Sequence, residues 1–172
     1  MSESEKNVGR HAYCSWCGAA FAPDLAWPRT CTSCGNTSYV NPLPVAVALV
    51  PVDDGVLVVR RGIEPRKGQW ALPGGFIEVG ETWQQACARE LMEEAQIEVD
   101  PDGIDDLCVY SAPDGTVLIF GVAEPLGSDE LPAFAPNDEV TERGVLSRVE
   151  PLAFPLHTRA LSFFFEVFAQ DE

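Results

Sequence analysis

Residues 74–97 read GGFIEVGETWQQACARELMEEAQI, and three of the glutamates in this stretch decide how the rest of the chain is read. Thr82 is a helix-capping residue type. Gln85, three positions on, completes a capping box, so the spacing predicts a helix from Thr82 to about Ala95. On such a helix positions i, i+3 and i+4 share a face, which groups Glu90, Glu93 and Glu94. Like charges so placed repel by about 0.2–0.5 kcal/mol per pair. A solvated acidic face accounts for many such triplets. A bound divalent cation reverses the sign of the effect, because Mg2+ takes carboxylate oxygens and keeps positions open for substrate phosphates. Gly74-Gly75 just before the helix and Glu81 at its start favour the cation.

The chain has 172 residues, which suits one domain or a small module followed by a domain of modest size. Hydrophobic residues make up 46%, enough for a packed core. No basic stretch followed by an apolar run opens the sequence, so no signal peptide is expected. The apolar run Val45–Val52 is far shorter than the roughly 20 residues that span a bilayer. A soluble, cytoplasmic protein without membrane contact is expected.

The formal net charge is −16, and no Lys or Arg occurs between Arg89 and Arg143. Such a surface repels phosphate backbones, so a nucleic-acid partner is not expected. Arg60, Arg61, Arg66 and Lys67 are the local exception, and a small anionic ligand suits them.

Cys14-Ser-Trp-Cys17-Gly18 and Cys31-Thr-Ser-Cys34-Gly35 form paired C-x2-C motifs. A two-residue gap lets one tight turn deliver two thiolates to the same metal, and four thiolates complete a tetrahedral zinc site. The glycine after each second cysteine tolerates the positive φ such a turn needs. Two disulfides are the alternative, which an intracellular chain disfavours. Cys14, Cys17, Cys31 and Cys34 are therefore assigned to a zinc ribbon over residues 11–40. Cys87 and Cys108 lack partners at ligand spacing and read as small apolar residues. Only Arg29 lies between the cysteine pairs, which favours bracing or dimerisation over contact with nucleic acid.

A second domain is expected over residues 41–172. Val45–Val50 reads as a buried strand, and Asp53-Asp54-Gly55 turns the chain into a second strand, Val56–Arg60. Trp70–Leu72, Leu107–Tyr110, Thr116–Ala123 and Gly144–Val149 are further strand candidates. Leu161, Phe164, Phe165 and Phe168 at helical spacing predict a last helix over His157–Ala169 and belong to its core face. Mixed α/β with more strands than helices is the expected class. Residues 1–10 are polar and expected to be loose.

The opening stretch resembles the Nudix box: Gly, five residues, Glu, seven residues, then Arg-Glu-aliphatic-x-Glu-Glu-x-Gly-aliphatic. Gly75, Glu81, Arg89, Glu90, Leu91, Glu93, Glu94 and Ile97 match, and Gln96 stands where the motif has glycine. The resemblance implies an α/β/α sandwich with a mixed sheet, a loop–helix–loop catalytic element, and Mg2+- or Mn2+-dependent hydrolysis of a nucleoside diphosphate linked to another moiety. Carried over, Glu90 and Glu94 are the principal magnesium ligands, with Glu93 direct or through water and the Gly74 carbonyl as an additional ligand. Arg89 orients the glutamates, and Glu81 braces the loop. Glu142 in "TERGVL" is the favoured further ligand, and Glu139 is the weaker candidate for the base, with plain surface acids as the alternative. A glycine at position 96 would close the helix in the left-handed conformation. Glutamine pays about 1–2 kcal/mol there, so the loop is expected to take another path.

The ribbon, the joining segment YVNPLPVAVALV (39–50) and the approach GQWALPGGFIEVGE (68–81) resemble the ribbon-bearing branch of the family, over roughly residues 11–168. That branch includes NADH pyrophosphatases and FAD or ADP-ribose pyrophosphatases. The Ser-Gln-Pro-Trp-type motif of the NADH enzymes is missing, and no Trp follows Ile97. FAD or ADP-ribose is therefore the implied substrate, NADH remains possible, and AMP is the implied product. Arg60 or Arg61 would neutralise the pyrophosphate. Phe76, Trp70 and Phe120 are candidates for stacking on adenine, although core packing is the commoner role of such residues. A homodimer is implied by the ribbon-bearing relatives. The rivals are a nucleotide-sensing regulator whose ribbon binds nucleic acid, and an enzyme that removes nucleotide caps from RNA. The intact glutamates oppose the first, and the missing basic track opposes both.

Overall fold

The computed structural model describes residues 10–168. The chain divides into two compact units on either side of Pro42 and Leu43.

The smaller unit is built on two like turns. Gly18 donates its N–H to the Cys14 carbonyl, and Gly35 donates to that of Cys31. Both glycines lie at positive φ, +73° and +74°. That conformation is strained for any residue with a Cβ, which explains why glycine follows each second cysteine. Strands β1 (Arg29–Thr30) and β2 (Thr37–Ser38) pair antiparallel across the second turn.

The larger unit runs β3 (Leu43–Leu49), β4 (Pro51–Val52), β5 (Gly55–Arg61), β6 (Trp70–Ala71), β7 (Gly74–Phe76), α1 (Trp83–Glu90), β8 (Asp105–Ser111), β9 (Thr116–Val122), β10 (Val140–Leu146) and α2 (Pro155–Phe168). One sheet has the order β7-β3-β9-β8, with β3 and β9 parallel and the other pairs antiparallel. The second has the order β10-β5-β4, with β6 also paired to β5. The Asp53-Asp54 turn makes β4 and β5 a hairpin, as the Asp-Asp-Gly sequence predicts.

Side-chain alternation explains the layering. In β3, Ala46 and Ala48 pack with Ala86, Cys87, Leu91 and Ala95 of the glutamate helix. Val47 and Leu49 point the other way and pack with Ala160, Leu161 and Phe164 of α2. Strand β5 divides likewise, with Leu57 and Val59 in one core and Val56 and Val58 in the other. A strand buried on both faces reads as a continuous apolar run, which is how Val45–Val50 reads. The result is a mixed α/β sandwich with helices on both sides. Cys87 is fully buried in the first core, and Cys108 packs at the edge of the second.

Three expectations shift. The strand expected at Gly144–Val149 lies at Val140–Leu146 instead. Its partner β5 sets the bounds: Leu146 pairs with Val56, and the hairpin turn leaves nothing for residues 147–149 to pair with. Strand β7 went unread because Gly74-Gly75 carries no strand signal. The last helix begins two residues earlier than expected, at Pro155, and Ala169 lies outside the described residues.

Candidate active site

Thr82 caps α1, and the capping box with Gln85 is present in both directions. The α-helix runs to Glu90 and widens into a π-type turn over Leu91–Ala95. Together these segments carry all three glutamates. Glu90 and Glu94 are turned inward, at 8% and 9% exposure, while Glu93 faces solvent.

Two glycines make room for the inward pair. A Cβ on Gly75 would overlap the Glu90 carboxylate, and one on Gly74 would stand 2.8 Å from the Val47 Cα. The Gly74 N–H donates to Glu94 Oε2 at 2.9 Å. Pairing of β7 with β3 fixes this backbone, Gly74 opposite Val47 and Gly75 opposite Ala46. On the far side of Leu72, the buried His157 accepts that residue's N–H on Nδ1. Burial pulls His157 down to about 3, so the ring is a neutral acceptor at physiological pH.

Arg89 gathers the outer part of the site. Its Nε and Nη2 reach both oxygens of Glu81, at 2.7 and 3.1 Å. Its Nη1 donates to Glu90 at 2.7 Å and to Glu93 at 3.3 Å. Nη2 also donates to the Phe76 carbonyl at 3.0 Å. Glu81 in turn accepts the Glu78 N–H, closing the loop before the helix. This fork geometry suits guanidinium and not an ammonium.

The electrostatics are opposed across the site. Arg89 holds the Glu81 carboxyl below the ordinary range. Burial pushes Glu90 up despite Arg89, and pushes Glu94 up to about 7 despite the Gly74 N–H. The charges of Glu90 and Glu139 raise Glu94 further, and Arg61 opposes them. Two inward carboxylates whose burial raises their proton affinity, with acceptor oxygens left over and no room for side chains on the facing backbone, suit a hard divalent cation. Glu90 and Glu94 would hold it, within reach of the Gly74–Gly75 backbone.

The buried charge has a consequence for stability. Between the ordinary 4.5 and about 7, native Glu94 keeps a proton that the unfolded chain has lost. Stability therefore falls as pH rises through that window, by an amount of order 3 kcal/mol. Protein freed of Mg2+ and Mn2+ is expected to lose more stability between pH 5 and pH 8 than its Glu94→Gln variant, in calorimetry of the two side by side. An added divalent cation should restore the wild type at pH 8.

The other expected site residues divide. Glu142 stands opposite Arg60 in the β10–β5 register and pairs with its Nε at 2.6 Å, with its own side chain more than half exposed. Arg60 also donates to the Gly68 carbonyl and covers the Trp70 ring, 3.9 Å from the centroid. That ring also lies close to Gly144, where a Cβ would stand 3.0 Å from it. Arg61 donates to the Pro65 carbonyl, and its charge acts on Glu94. Glu139 acts on both Glu90 and Glu94. Phe76 is 57% exposed beside the site. Phe120 is fully buried between Tyr110 and His157, so it is core and its face is not free to stack on adenine.

Gln96 corrects the expected detour of the loop. It adopts the left-handed conformation itself, at φ 57° and ψ 41°. Its N–H donates to the Met92 carbonyl and that of Ile97 to Leu91, the closure that a glycine would make. Three contacts at this helix end went unread in the sequence. Gln96 pairs through its amide with both backbone groups of Ala135. Asn137 donates to the Glu93 carbonyl. Arg143 donates to the Ala95 and Pro132 carbonyls. The first base after a long acidic stretch was the available signal for Arg143.

In the smaller unit the four cysteine sulfurs lie within 4.8 Å of one another. Cys14 to Cys34 and Cys17 to Cys31 are 3.8 and 3.7 Å apart, so none is a disulfide. Backbone N–H groups of Cys17 and Trp16 pull the Cys14 thiol down to about 6, and those of Cys34 and Ser33 lower Cys31. Asn36 Nδ2 and the Ser38 hydroxyl donate to the Cys34 and Cys14 sulfurs. Four converging sulfurs, two favoured as thiolates, fit a tetrahedral soft-ligand metal such as zinc. Arg29 lies on the Trp27 ring, 4.4 Å from its centroid, and donates to the Leu25 carbonyl.

The chain is similar to several known proteins. A NAD-capped RNA hydrolase NudC from Escherichia coli (strain K12 / DH10B) is 37% identical over 90 residues, 52% of this chain. The match spans only 35% of that relative's length. A NUDIX hydrolase from Nitrosomonas europaea superposes with a TM-score of 0.75 at 30% identity, over 93% of both chains. A bifunctional NMN adenylyltransferase/ADP ribose pyrophosphatase from Francisella tularensis, solved with AMP and a manganese ion, gives 0.56 at 28% identity, over 77% of this chain and 42% of the other. No helix among the described residues is long and apolar enough to cross a membrane. The NUDIX domain model matches residues 42–163, from β3 into the last helix and including the glutamates, and the chain belongs to the Nudix family.

Proposed function

We propose that the protein hydrolyses the pyrophosphate bond of a nucleoside diphosphate derivative, FAD or ADP-ribose in preference to NADH, and releases AMP. The observation that carries this reading is the inward pair Glu90 and Glu94, held by Arg89 and the Gly74–Gly75 backbone. A bound divalent cation supplies charge neutralisation for the pyrophosphate and a more acidic water. The chain's own residues do the rest. Glu90 and Glu94 fix the cation, with Glu93 at the solvent edge and Arg89 keeping their rotamers. Arg61 lies on the same side and offsets charge on the non-bridging oxygens. Phe76 offers an exposed aromatic face to a base. Water adds across the P–O–P bridge, so the products are AMP and a second phosphate monoester.

Glu139 is favoured over Glu142 as the group that takes the proton from water. Glu142 is engaged by Arg60, whereas Glu139 acts electrostatically on both inward glutamates. The smaller unit holds a structural zinc on Cys14, Cys17, Cys31 and Cys34, and a homodimer in the cytoplasm is its expected setting.

A second reading, favoured by the similarity to an NAD-capped RNA hydrolase, is hydrolysis of NAD-capped RNA. The charge of −16 opposes it. The two are separated by offering free FAD, ADP-ribose and NADH beside an NAD-capped oligonucleotide at low and high salt. Turnover of a free dinucleotide that changes less than about twofold with salt supports the first reading. Preference for the capped RNA that collapses with salt overturns it.

A further inference from the structure

Gln96 departs from the family motif, yet it does more than fill the left-handed position. Its Nε2 donates to the Ala135 carbonyl at 2.6 Å, and its Oε1 accepts the Ala135 N–H at 2.9 Å. A side-chain amide has thus replaced a strand partner for one residue of the 132–139 segment. A glycine has no atoms to do this.

The same segment is fastened twice more to the same helix end. Asn137 Nδ2 donates to the Glu93 carbonyl at 3.0 Å, while its Oδ1 accepts the N–H groups of Glu139 and Val140. Arg143 reaches the Ala95 carbonyl at 2.7 Å and also the Pro132 carbonyl, with Phe134 against its guanidinium. These bonds satisfy carbonyls that a helix end leaves open. Beyond them, the Glu139 carbonyl accepts the Gly62 N–H at 2.6 Å, which sets the segment beside the end of β5.

We propose that Gln96 is a positioning residue: by clasping the Ala135 backbone it holds the 132–139 segment, and the Glu139 carboxylate at its end, against the glutamate helix. The inference rests on the hydrolytic reading only for its effect on turnover. The clasp itself is measurable in protein with no substrate. The clasp has a cost, since a glutamine at positive φ is strained, and the family's glycine would not be. The strain is offset by the two bonds to Ala135.

The test is Gln96→Gly, with Gln96→Asn beside it. Asparagine tolerates the left-handed conformation but is one methylene shorter. Gln96→Gly is expected to leave the melting temperature nearly unchanged, because the relieved strain and the two lost bonds to Ala135 offset each other. Amide exchange at Ala135 should speed up about tenfold or more, the scale of a lost hydrogen-bond pair. The kcat should fall about tenfold with KM changed less than twofold, since the proton acceptor is misplaced and substrate binding is not. Gln96→Asn should match Gln96→Gly in both exchange and kcat. Unchanged exchange at Ala135 overturns the clasp. Faster exchange with unchanged kcat overturns the positioning role. If the wild type hydrolyses no dinucleotide, the proposed function fails while the exchange result still decides the clasp.

Discussion

Glu94→Gln lowers kcat for the preferred dinucleotide by about a thousandfold, with the fold intact. The reasons are on the helix. Glu94 is inward, and its Oε2 accepts the Gly74 N–H, a bond that the glutamine carbonyl can still make. The amide cannot neutralise a cation, and removing one of two inward carboxylates forfeits several kcal/mol of charge stabilisation in the transition state. Metal-free stability at pH 8 should not fall, since a buried carboxylate held up at about 7 is removed. Glu139→Gln should lower kcat by about a hundredfold, the contribution of a positioned base. Glu142→Gln loses an ion pair whose carboxylate side is more than half exposed, so its stability should change by less than about 1 kcal/mol. Steady-state kinetics on the three variants, with melting curves, check this order. A Glu142→Gln defect larger than that of Glu139→Gln would return the further role to Glu142.

Cys31→Ser unfolds the smaller unit and leaves the larger one standing. A structural zinc supplies about 10–16 kcal/mol of apparent folding free energy, so one thiolate in four carries roughly 3 kcal/mol, or about a hundredfold in metal affinity. Little else holds this unit: its two strands have two residues each, and Tyr13, Trp16 and Tyr39 are exposed. The two buried clusters of the larger unit consist of its own residues. Metal analysis should give one zinc per wild-type chain and much less in the variant. Amide exchange should become fast in residues 11–40 and stay slow in β3 and β9. Full zinc content in Cys31→Ser, or a wild type that carries no zinc, would refute the assignment.

Much of this architecture was legible because local rules and tertiary needs agreed. Thr82 and Gln85 announced a capping box that forms in both directions. Alternate residues of Val45–Val50 serve two cores, so the segment had to read as an unbroken apolar run. The cysteine turns need positive φ where the glycines stand. Illegible features depended on partners distant in sequence. The first half of strand β10 holds the polar Thr141-Glu142-Arg143, and only its register with β5 reveals that the strand starts at Val140. The register also breaks between Val140 and Glu142, so alternation could not say which of Glu139 and Glu142 faces the helix. Gln96 pays a local cost that the sequence displays, while the offsetting bonds come from Ala135, 39 positions away. For Phe120 the sequence left both stacking and core packing open, with core packing the commoner role, and its place in a strand flanked by two neighbours makes it core.

The most direct test of the hydrolytic site is AMP release from FAD and ADP-ribose by the purified protein, resolved by chromatography with Mg2+ and without it. Stoichiometric AMP with Mg2+, none without it, and none above background from Glu94→Gln is the predicted result. Binding of either dinucleotide with no AMP at any Mg2+ concentration would contradict a hydrolytic site and leave a nucleotide-sensing protein in its place.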